Sequence, residues 1–444
     1  MKILLAVHHF PPRYSAGAEL YAYRLARWLL ANGHQAEVVC VEELDPRRPA
    51  GLAARREDYG GVPVQRLSLG MAGAPASWAY DHALINAWLH DHLERSRPDL
   101  VHLHSGYLLG AGVIDEAHAA GLPAVVTLHD YWFLCPRFTL LRGDGRLCAE
   151  VPADPAACAW CLKLDQRRFR LPERLSGGAA GKLWAALAGS AGREAQAERR
   201  ARLRQALGRA SLVVAPSRFL AEIYGDAIRA EQLLILRYGL DISNLTPTPL
   251  PPEDRPLRIG YIGQIAPHKG VHVLVEAVQR LPAAGRPLEV MIYGNPEQNP
   301  AYTQQLRRLI RDDPRIRLAG RFENSRLGEI LDQCAATVVP SVWYENSPLA
   351  IMEAHAAGRP VIASAMGGMA ELVRHGVDGL HFAPGDAADL ARQIQRLRSE
   401  PGLLAKLAAG IRAPVSIDDE MMVLAAAYER IIAQTLATSC AGVA

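Results

Sequence analysis

The sequence lacks any run of about eighteen apolar residues, the length that a helix needs to cross a lipid bilayer. It also lacks an excess of one charge: 49 Lys and Arg stand against 46 Asp and Glu, so bulk electrostatics give no reason to expect a nucleic-acid partner. The start, Met1 to Val7 followed by His8 and His9, turns polar too early for a secretory signal peptide. These absences predict a cytoplasmic protein, either free or peripheral at the inner face of the membrane.

A disulfide framework is not expected either. The seven cysteines are odd in number and unevenly spread, which is typical of a protein from a reducing compartment. No internal repeat is present. With 444 residues, half of them hydrophobic, the chain is long enough for two or three domains with full cores.

Short buried strands alternate with helical patterns along the whole chain, which predicts the α/β class with doubly wound, Rossmann-like domains. A proline-rich stretch from residue 246 to 256 is typical of a stiff linker. We therefore predict a first domain over 1–245, a second over 257–415, and a last segment, 416–444, whose helix returns to the first domain. Strands are predicted at 2–7, 36–41, 100–103, 124–128, 211–215, 233–236, 257–262, 288–293, 316–318, 336–339 and 361–363.

The stretch around residue 345 predicts an anion site. The strand ending at Val339 leads to a helix whose N-cap should be Asn346 or Ser347, with Pro348 at the first helical position and Leu349 after it. Free backbone N–H groups at such a helix start attract a diphosphate. These four residues are therefore candidate ligand-binding residues.

Two carboxylates, Glu345 and Glu353, bracket the start of this helix. Carboxylates accept hydrogen bonds from neutral sugar hydroxyls, so the combination favours a nucleotide-sugar over a bare phosphate ester. The alternative is a solvated glutamate and a surface ion pair.

A second motif, Gly263-Gln264-Ile-Ala-Pro-His-Lys269-Gly270, follows the strand that begins at Leu257. Lys269 would stand at a helix entry, where a cation is unfavourable unless an anion is bound there. The alternative is an exposed helix-start lysine.

Two features of the first half also stand at strand ends, where doubly wound folds bind ligands. Gly17 lies in the loop after the first strand, where a backbone that approaches a ligand needs no Cβ. His129 comes directly after the strand 124–128. The alternatives are a plain helix-entry glycine and a structural histidine.

Together these motifs resemble the retaining glycosyltransferases of family 4 and their two-domain GT-B fold. The resemblance is carried by Glu345-x7-Glu353, by His355-Ala-Ala-Gly-Arg-Pro-Val-Ile362 and by Gly367-Gly-Met-Ala-Glu371. It implies two Rossmann-like domains that face each other across a cleft. It further implies that Glu353 holds the ribose hydroxyls and Glu345 the sugar hydroxyls, and that Lys269 stabilises the leaving diphosphate.

The same resemblance implies that His129 contacts the donor sugar, and that the loop of Gly17 lies near the phosphates, although Ala16 stands where the family often has a second glycine. Gln264 departs from the family, which has an arginine there, so that a neutral amide replaces a charge. The sequence contains no Asp-x-Asp, the metal-holding pattern of the other major glycosyltransferase fold, so we expect no cofactor in catalysis.

The resulting prediction is transfer of a hexosyl group, with retention, from a nucleotide-sugar to a glycan or lipid-linked acceptor, in cell-surface polysaccharide biosynthesis. The alternatives are a nucleotide-sugar epimerase of the same fold and a non-catalytic nucleotide-sugar-binding protein.

An insertion over 135–209 lies outside this pattern. Its Cys135, Cys148, Cys158 and Cys161 could hold a structural zinc, or be buried thiols, a redox pair or a solvent loop. Residues 163–209 carry twelve Lys or Arg against four Asp or Glu, which could make peripheral contact with anionic lipid. The helix predicted over 192–207 interleaves Ala195, Leu203, Ala206 and Leu207 with arginines, and its exposed apolar side chains would make that contact. The alternative is a solvated helical face.

Overall fold

The structure is a computed structural model that describes residues 1–14, 17–188, 190–242 and 245–441. The chain divides into two compact units. The first comprises the described residues of Met1–Pro216, Leu220–Leu236 and Glu420–Ala444, and the second comprises those of Ser217–Phe219 and Arg237–Asp419.

The first unit is built on an eight-stranded sheet of order β3-β4-β2-β1-β5-β6-β7-β8. Its pairs are parallel except β3 with β4. The strands are β1 (Lys2–Val7), β2 (Gln35–Pro49), β3 (Gly51–Tyr59), β4 (Val62–Ala72), β5 (Leu100–Leu103), β6 (Ala124–Thr127), β7 (Leu212–Ala215) and β8 (Leu233–Ile235). The helices are α1 (Gly17–Ala31), α2 (Ala83–Ser96), α3 (Gly112–Ala119), α4 (Pro155–Lys163), α5 (Arg167–Leu175), α6 (Ala179–Ala188), α7 (Ser190–Arg209) and α8 (Arg218–Tyr224).

The central strands were predictable because both of their faces are covered. Ile3 to Val7 of β1 are at most 1% exposed, and a strand buried on both faces reads as an unbroken apolar run. The predicted second strand, 36–41, is too short, since β2 continues to Pro49 and pairs with β4.

The antiparallel hairpin of β3 and β4 was missed. Its edge strand carries the charged run Arg55-Arg56-Glu57-Asp58, which is largely exposed and shows no buried face. The turn Gly60-Gly61 has φ of 58° and 81°. Two such glycines between strands are a hairpin signal that could have revealed it.

The second unit holds a six-stranded parallel sheet of order β11-β10-β9-β12-β13-β14. Its strands are β9 (Leu257–Ile262), β10 (Leu288–Tyr293), β11 (Ile316–Gly320), β12 (Ala336–Val339), β13 (Val361–Ser364) and β14 (Gly379–Phe382). Its helices are α9 (Val271–Arg280), α10 (Pro300–Ile310), α11 (Leu327–Asp332), α12 (Leu349–Ala356), α13 (Gly367–Leu372), α14 (Ala387–Ser399) and α15 (Leu403–Ala409). Strand order reverses between β9 and β12, and ligands of doubly wound sheets bind beyond the carboxyl ends of such strands.

The start of α12 differs from the prediction. The N-cap residue is Pro348, whose φ of −68° and ψ of 114° are extended, and the helix begins at Leu349. Asn346 and Ser347 therefore do not cap it. Within the preceding loop, the Glu345 carbonyl accepts a hydrogen bond from the Gly368 N–H of α13, 2.7 Å away, which ties this loop to that helix.

The last helix, α16 (Ile417–Ala441), belongs to the first unit from Glu420 onward. There the Tyr21 hydroxyl donates to Glu420 Oε1 at 2.7 Å, and the buried Tyr428 hydroxyl lies 2.5 Å from His102 Nδ1. Across the part of the chain that the structure describes, every helix is too short or too polar to cross a bilayer. Two parallel-stranded α/β sheets confirm the predicted fold class.

Candidate functional site

A buried carboxylate with three donors marks the switch point of the second unit. Glu345 Oε1 accepts hydrogen bonds from Lys269 Nζ at 2.7 Å, from Ser341 Oγ at 2.8 Å and from Trp343 Nε1 at 2.8 Å. Lys269 ends the loop after β9, and the other three residues lie in the loop after β12. The Lys269 ammonium also lies 5.1 Å from the centre of the Trp343 ring. Adjacent parallel strands thus bring together two predicted site residues that are 76 positions apart.

The Glu345 carboxylate is ionised at neutral pH. Burial by itself raises the pKa of Glu345, but the charge of Lys269 and the hydrogen bonds from Lys269, Trp343 and Ser341 outweigh it and lower the pKa below its ordinary value. No donor in the described part of the chain is bound to Oε2. That oxygen can therefore accept from a ligand hydroxyl.

Glycines fix the loop that carries Glu345. At Gly270, where φ is 70°, a Cβ would lie 1.8 Å from the Pro340 carbonyl oxygen. At Gly368 it would lie 1.8 Å from the Asn346 carbonyl oxygen. No side chain fits at such distances, so the backbone at Gly270 and at Gly368 packs directly against the backbone of the loop that carries Glu345.

The start of α12 leaves polar groups for a ligand. Pro348 has no capping side chain, so the first N–H groups of the helix, beginning at Leu349, have no cap from it. Ser347 Oγ is buried and has no hydrogen-bond partner in the described part of the chain. Asn346 is half-buried beside it, and Glu353, one turn into α12, is half-buried too. The predicted candidates of this stretch therefore surround one helix start.

Apart from Lys269, the loop after β9 offers a ligand backbone groups and no charged side chain. Gly263 is exposed, and a Cβ at Gly294 would lie 2.2 Å from the Gly263 carbonyl oxygen, so two strand ends approach closely there. Gln264 is exposed, and its carbonyl accepts from the Tyr261 hydroxyl at 2.6 Å. Burial, followed by the charge of Lys269, lowers the pKa of His268 to about 4, so this ring is neutral at pH 7.

His129 of the first unit belongs to a cluster of histidines that was not predicted. Its Nε2 lies 3.2 Å from Nδ1 of the buried His104, and its ring centre is 5.2 Å from that of Tyr21. Part of the ring is exposed, but protein surrounds most of it. This burial, with the neighbouring His104 and His8, puts the pKa of His129 well below its ordinary value.

The residues His8 and Glu19 were also missed, and their carboxylate and imidazole lie 3.2 Å apart. The available signals were His8 directly after β1 and the His102-x-His104 spacing at the end of β5. Gly17 begins α1, and a Cβ there would meet nothing within 4 Å, so packing does not require this glycine. Ala16 lies outside the described residues.

The four cysteines of the insertion share one neighbourhood. Cys158 and Cys161 lie on α4, and burial and then the thiols of Cys135, Cys158 and Cys161 raise the pKa of Cys148 to about 11. Cys148 donates to the Glu150 carbonyl at 3.0 Å, and Arg200 donates to the Cys158 sulfur at 3.1 Å. Among the described residues no three His, Cys, Asp or Glu side chains are arranged as metal ligands. Zinc binding by these cysteines stays a prediction.

The helix predicted to present an apolar face to lipid does not do so. Of the four apolar residues predicted there, Ala195 is exposed, but Leu203, Ala206 and Leu207 of α7 are at most 1% exposed, because α7 packs on α3 and α4. That part of the prediction is wrong. Exposed apolar side chains of the basic segment lie instead on α5 and α6.

Two protein families match the chain. Residues 16–239 match the Glycosyl transferase 4-like domain, and residues 256–400 match the family described as Glycosyl transferases group 1. A glycogen synthase of Mycobacterium tuberculosis (strain CDC 1551 / Oshkosh) is 24% identical over 443 residues, which cover 97% of this chain and 94% of that protein. A D-inositol 3-phosphate glycosyltransferase of Stackebrandtia nassauensis is 31% identical over 207 residues, 43% of this chain and 46% of that protein.

Solved structures share the fold. The crystal structure of Anabaena Alr3699/HepE in complex with UDP superimposes with a TM-score of 0.66 at 18% identity, over 97% of this chain and 100% of that one. At that identity the likeness establishes the architecture alone, which is the predicted two-domain GT-B fold.

Proposed function

Because the chain belongs to the group 1, family 4-like glycosyl transferases and has their GT-B fold, we propose that it transfers a hexosyl group, with retention, from a nucleotide-sugar to a glycan or lipid-linked acceptor. One observation carries this proposal: Lys269, Ser341 and Trp343 converge on Glu345 beside the uncapped start of α12. A cation, N–H groups and a carboxylate at one switch point fit a ligand with a negative diphosphate and neutral hydroxyls.

The diphosphate binds at the start of α12 and beside Lys269 in this proposal. The N–H groups of Leu349 and Ala350 at the start of the helix, and the unpartnered Ser347 hydroxyl, donate to phosphate oxygens. Charge builds on these oxygens as the glycosidic bond breaks, and an ammonium that is already in place stabilises it without reorganisation. The Anabaena relative in the comparison holds UDP, which supports a nucleoside diphosphate as the leaving group.

In this proposal the carboxylates of Glu345 and Glu353 bind the neutral hydroxyl groups of the donor. Glu345 Oε2 accepts from sugar hydroxyls, while Oε1 stays tied to its three donors and holds the carboxylate in position. Glu353 accepts from the ribose hydroxyls. Both assignments follow the family resemblance, and the role of His129 in transfer is proposed from that resemblance alone.

No side chain of the chain serves as nucleophile in this proposal. The acceptor hydroxyl attacks on the face that the diphosphate leaves, and its proton passes to a phosphate oxygen, so that the new bond keeps the donor configuration. Gln264 contributes an amide instead of the usual guanidinium, which leaves more of the charge stabilisation to Lys269. Cell-surface polysaccharide biosynthesis is the proposed setting.

The experiment is an assay of nucleoside diphosphate release from UDP-, GDP-, dTDP- and ADP-sugars with glycan and lipid-linked acceptors, followed by NMR of the product linkage. We expect release that depends on an acceptor, a product with the donor's anomeric configuration, and loss of both in Glu345→Gln. The matched control is Glu400→Gln, since Glu400 is exposed on the same unit and pairs with Arg396.

Other outcomes identify the alternatives. Conversion of the donor sugar with no acceptor present would indicate an epimerase. Donor binding with no turnover over the whole acceptor panel would indicate a non-catalytic binding protein. An inverted product would contradict retention, and full activity in Glu345→Gln would contradict the site.

A further inference from the structure

A helical hairpin within the insertion combines a fixed inner face with an exposed apolar outer face. It consists of α5 and α6, residues 167–188, and we call it the insertion hairpin. Its Glu173 is 2% exposed, accepts from Arg142 Nη2 at 2.7 Å, and accepts from the Gly181 N–H at 3.0 Å. The Trp184 ring packs 5.5 Å from that of Trp160 on α4. These contacts anchor the inner face of the hairpin.

The outer face is apolar and open to solvent. Leu171 and Leu175 are 50% and 80% exposed on α5, and Leu183 and Leu187 are 61% and 77% exposed on α6. Each pair has the four-residue spacing that places both side chains on one side of a helix. Leu175 and Leu187 are the two most exposed large apolar side chains in the described residues. Isolated exposed leucines are ordinary, but two aligned pairs on one hairpin indicate a binding surface.

The charge of the hairpin is positive. Residues 167–188 contain five basic side chains, Arg167, Arg168, Arg170, Arg174 and Lys182. The one acidic residue of this sequence, Glu173, is buried and bound to Arg142. The exposed surface of the hairpin therefore combines leucine side chains with basic side chains.

We propose that the insertion hairpin docks onto an anionic lipid bilayer. Leucines that enter the acyl boundary, with arginine and lysine at the level of anionic headgroups, are the two contributions that hold an interfacial helix on a membrane. A second copy of the chain is a poorer occupant, because a two-fold interface would set the cations of one hairpin against those of the other. The proposal concerns a surface remote in sequence from Lys269 and Glu345, and it does not depend on glycosyl transfer.

The test is co-sedimentation of the purified full chain with vesicles of phosphatidylcholine alone and of phosphatidylcholine mixed with phosphatidylglycerol. We expect binding to the anionic vesicles that weakens as salt is added, since surface charges are screened. Leu175→Ser combined with Leu187→Ser should weaken binding at least about tenfold, because both leucines leave water on docking. The matched control is Leu436→Ser, which removes a leucine that is 62% exposed on α16, and it should bind like wild type.

Any of three sedimentation results would overturn the proposal: no sedimentation with anionic vesicles, equal sedimentation with neutral ones, or unchanged binding by the double leucine variant. Light scattering accompanies the assay. A dimer of the wild type that the double variant cannot form would assign the surface to a second copy instead. Circular dichroism melting curves of all variants establish that each one is folded.

Discussion

Replacing Lys269 by methionine separates its electrostatic role from its packing role, since methionine keeps an apolar stem over Trp343. Removing one partner of a buried ion pair costs about 3–5 kcal/mol. The Lys269 side chain is 22% exposed, and Ser341 and Trp343 still donate to Glu345, so we expect a smaller loss of about 2 kcal/mol at neutral pH. For a unit of this size that lowers Tm by about 4–8 °C.

The loss should depend on pH in a defined direction. In wild type the pKa of Glu345 lies below its ordinary 4.5, so the stability that the pair contributes is present above that value and is lost as the pH falls through the folded-state pKa. In Lys269→Met burial dominates and the pKa rises above 4.5. The variant is then destabilised at neutral pH, and this destabilisation fades on acidification. The Tm gap between the two proteins should therefore be widest near neutral pH and narrow towards about pH 4.

A double variant should recover thermal stability without recovering activity. Lys269→Met should lower kcat/KM by about 10²–10³, the cost of removing one group that stabilises charge in a transition state. Lys269→Met with Glu345→Gln replaces the pair by neutral groups, so the Tm at neutral pH should recover while activity does not. Melting curves at both pH values and initial rates of nucleoside diphosphate release measure this. A Tm gap that does not change with pH, or a Lys269→Met enzyme whose kcat/KM is within threefold of the wild-type value (a factor worth about 0.6 kcal/mol), would contradict the proposed roles of Lys269.

Three further predictions concern single positions. Gly368→Ala should displace the Glu345 loop and lower kcat/KM by at least about tenfold, because its Cβ would lie 1.8 Å from the Asn346 carbonyl oxygen; Gly208→Ala in α7, where a Cβ meets nothing within 4 Å, should leave kcat/KM unchanged. His129→Gln should reduce kcat/KM. Because the pKa of His129 is lowered, the pH profile of the wild-type rate should contain no titration of this ring above about pH 6.5. A titration in that range that disappears in His129→Gln would contradict the lowered pKa. Cys158→Ser should abolish any stoichiometric zinc found by elemental analysis of the purified chain, and wild-type protein without zinc would rule out the predicted metal site.

The fold could be predicted where buried strands produce runs of apolar residues in the sequence. Strands such as Lys2–Val7 and Ala336–Val339 were located correctly because sheets covered by helices on both faces require apolar runs. The edge hairpin of β3 and β4 escaped notice because an exposed edge strand accepts charged residues. The burial of Leu203 and Leu207 was misjudged for a related reason: arginines around them suggested a solvated helix, but the neighbours that cover α7 come from distant parts of the chain.

Individual residues of the site could be predicted, but the contacts between them could not. Lys269 and Glu345 were each selected from their own motifs, yet nothing in the sequence indicated that they form one ion pair. Ser341 and Trp343 were missed as donors, although they stand at alternate positions before Glu345. Which side chains meet around a carboxylate is decided by how two strand ends are paired, and that pairing is a tertiary property.

The proposed function requires that a nucleotide-sugar binds to the second unit at the start of α12, beside Lys269 and Glu345. Hydrogen–deuterium exchange of the full chain, with and without saturating UDP-, GDP-, dTDP- or ADP-sugar, detects such binding even when no acceptor is present. We predict that at least one donor slows exchange of the amides in the loop from 263 to 270 and in the segment from 345 to 353. If each donor leaves both segments unprotected, or protects only other parts of the chain, the claim is contradicted.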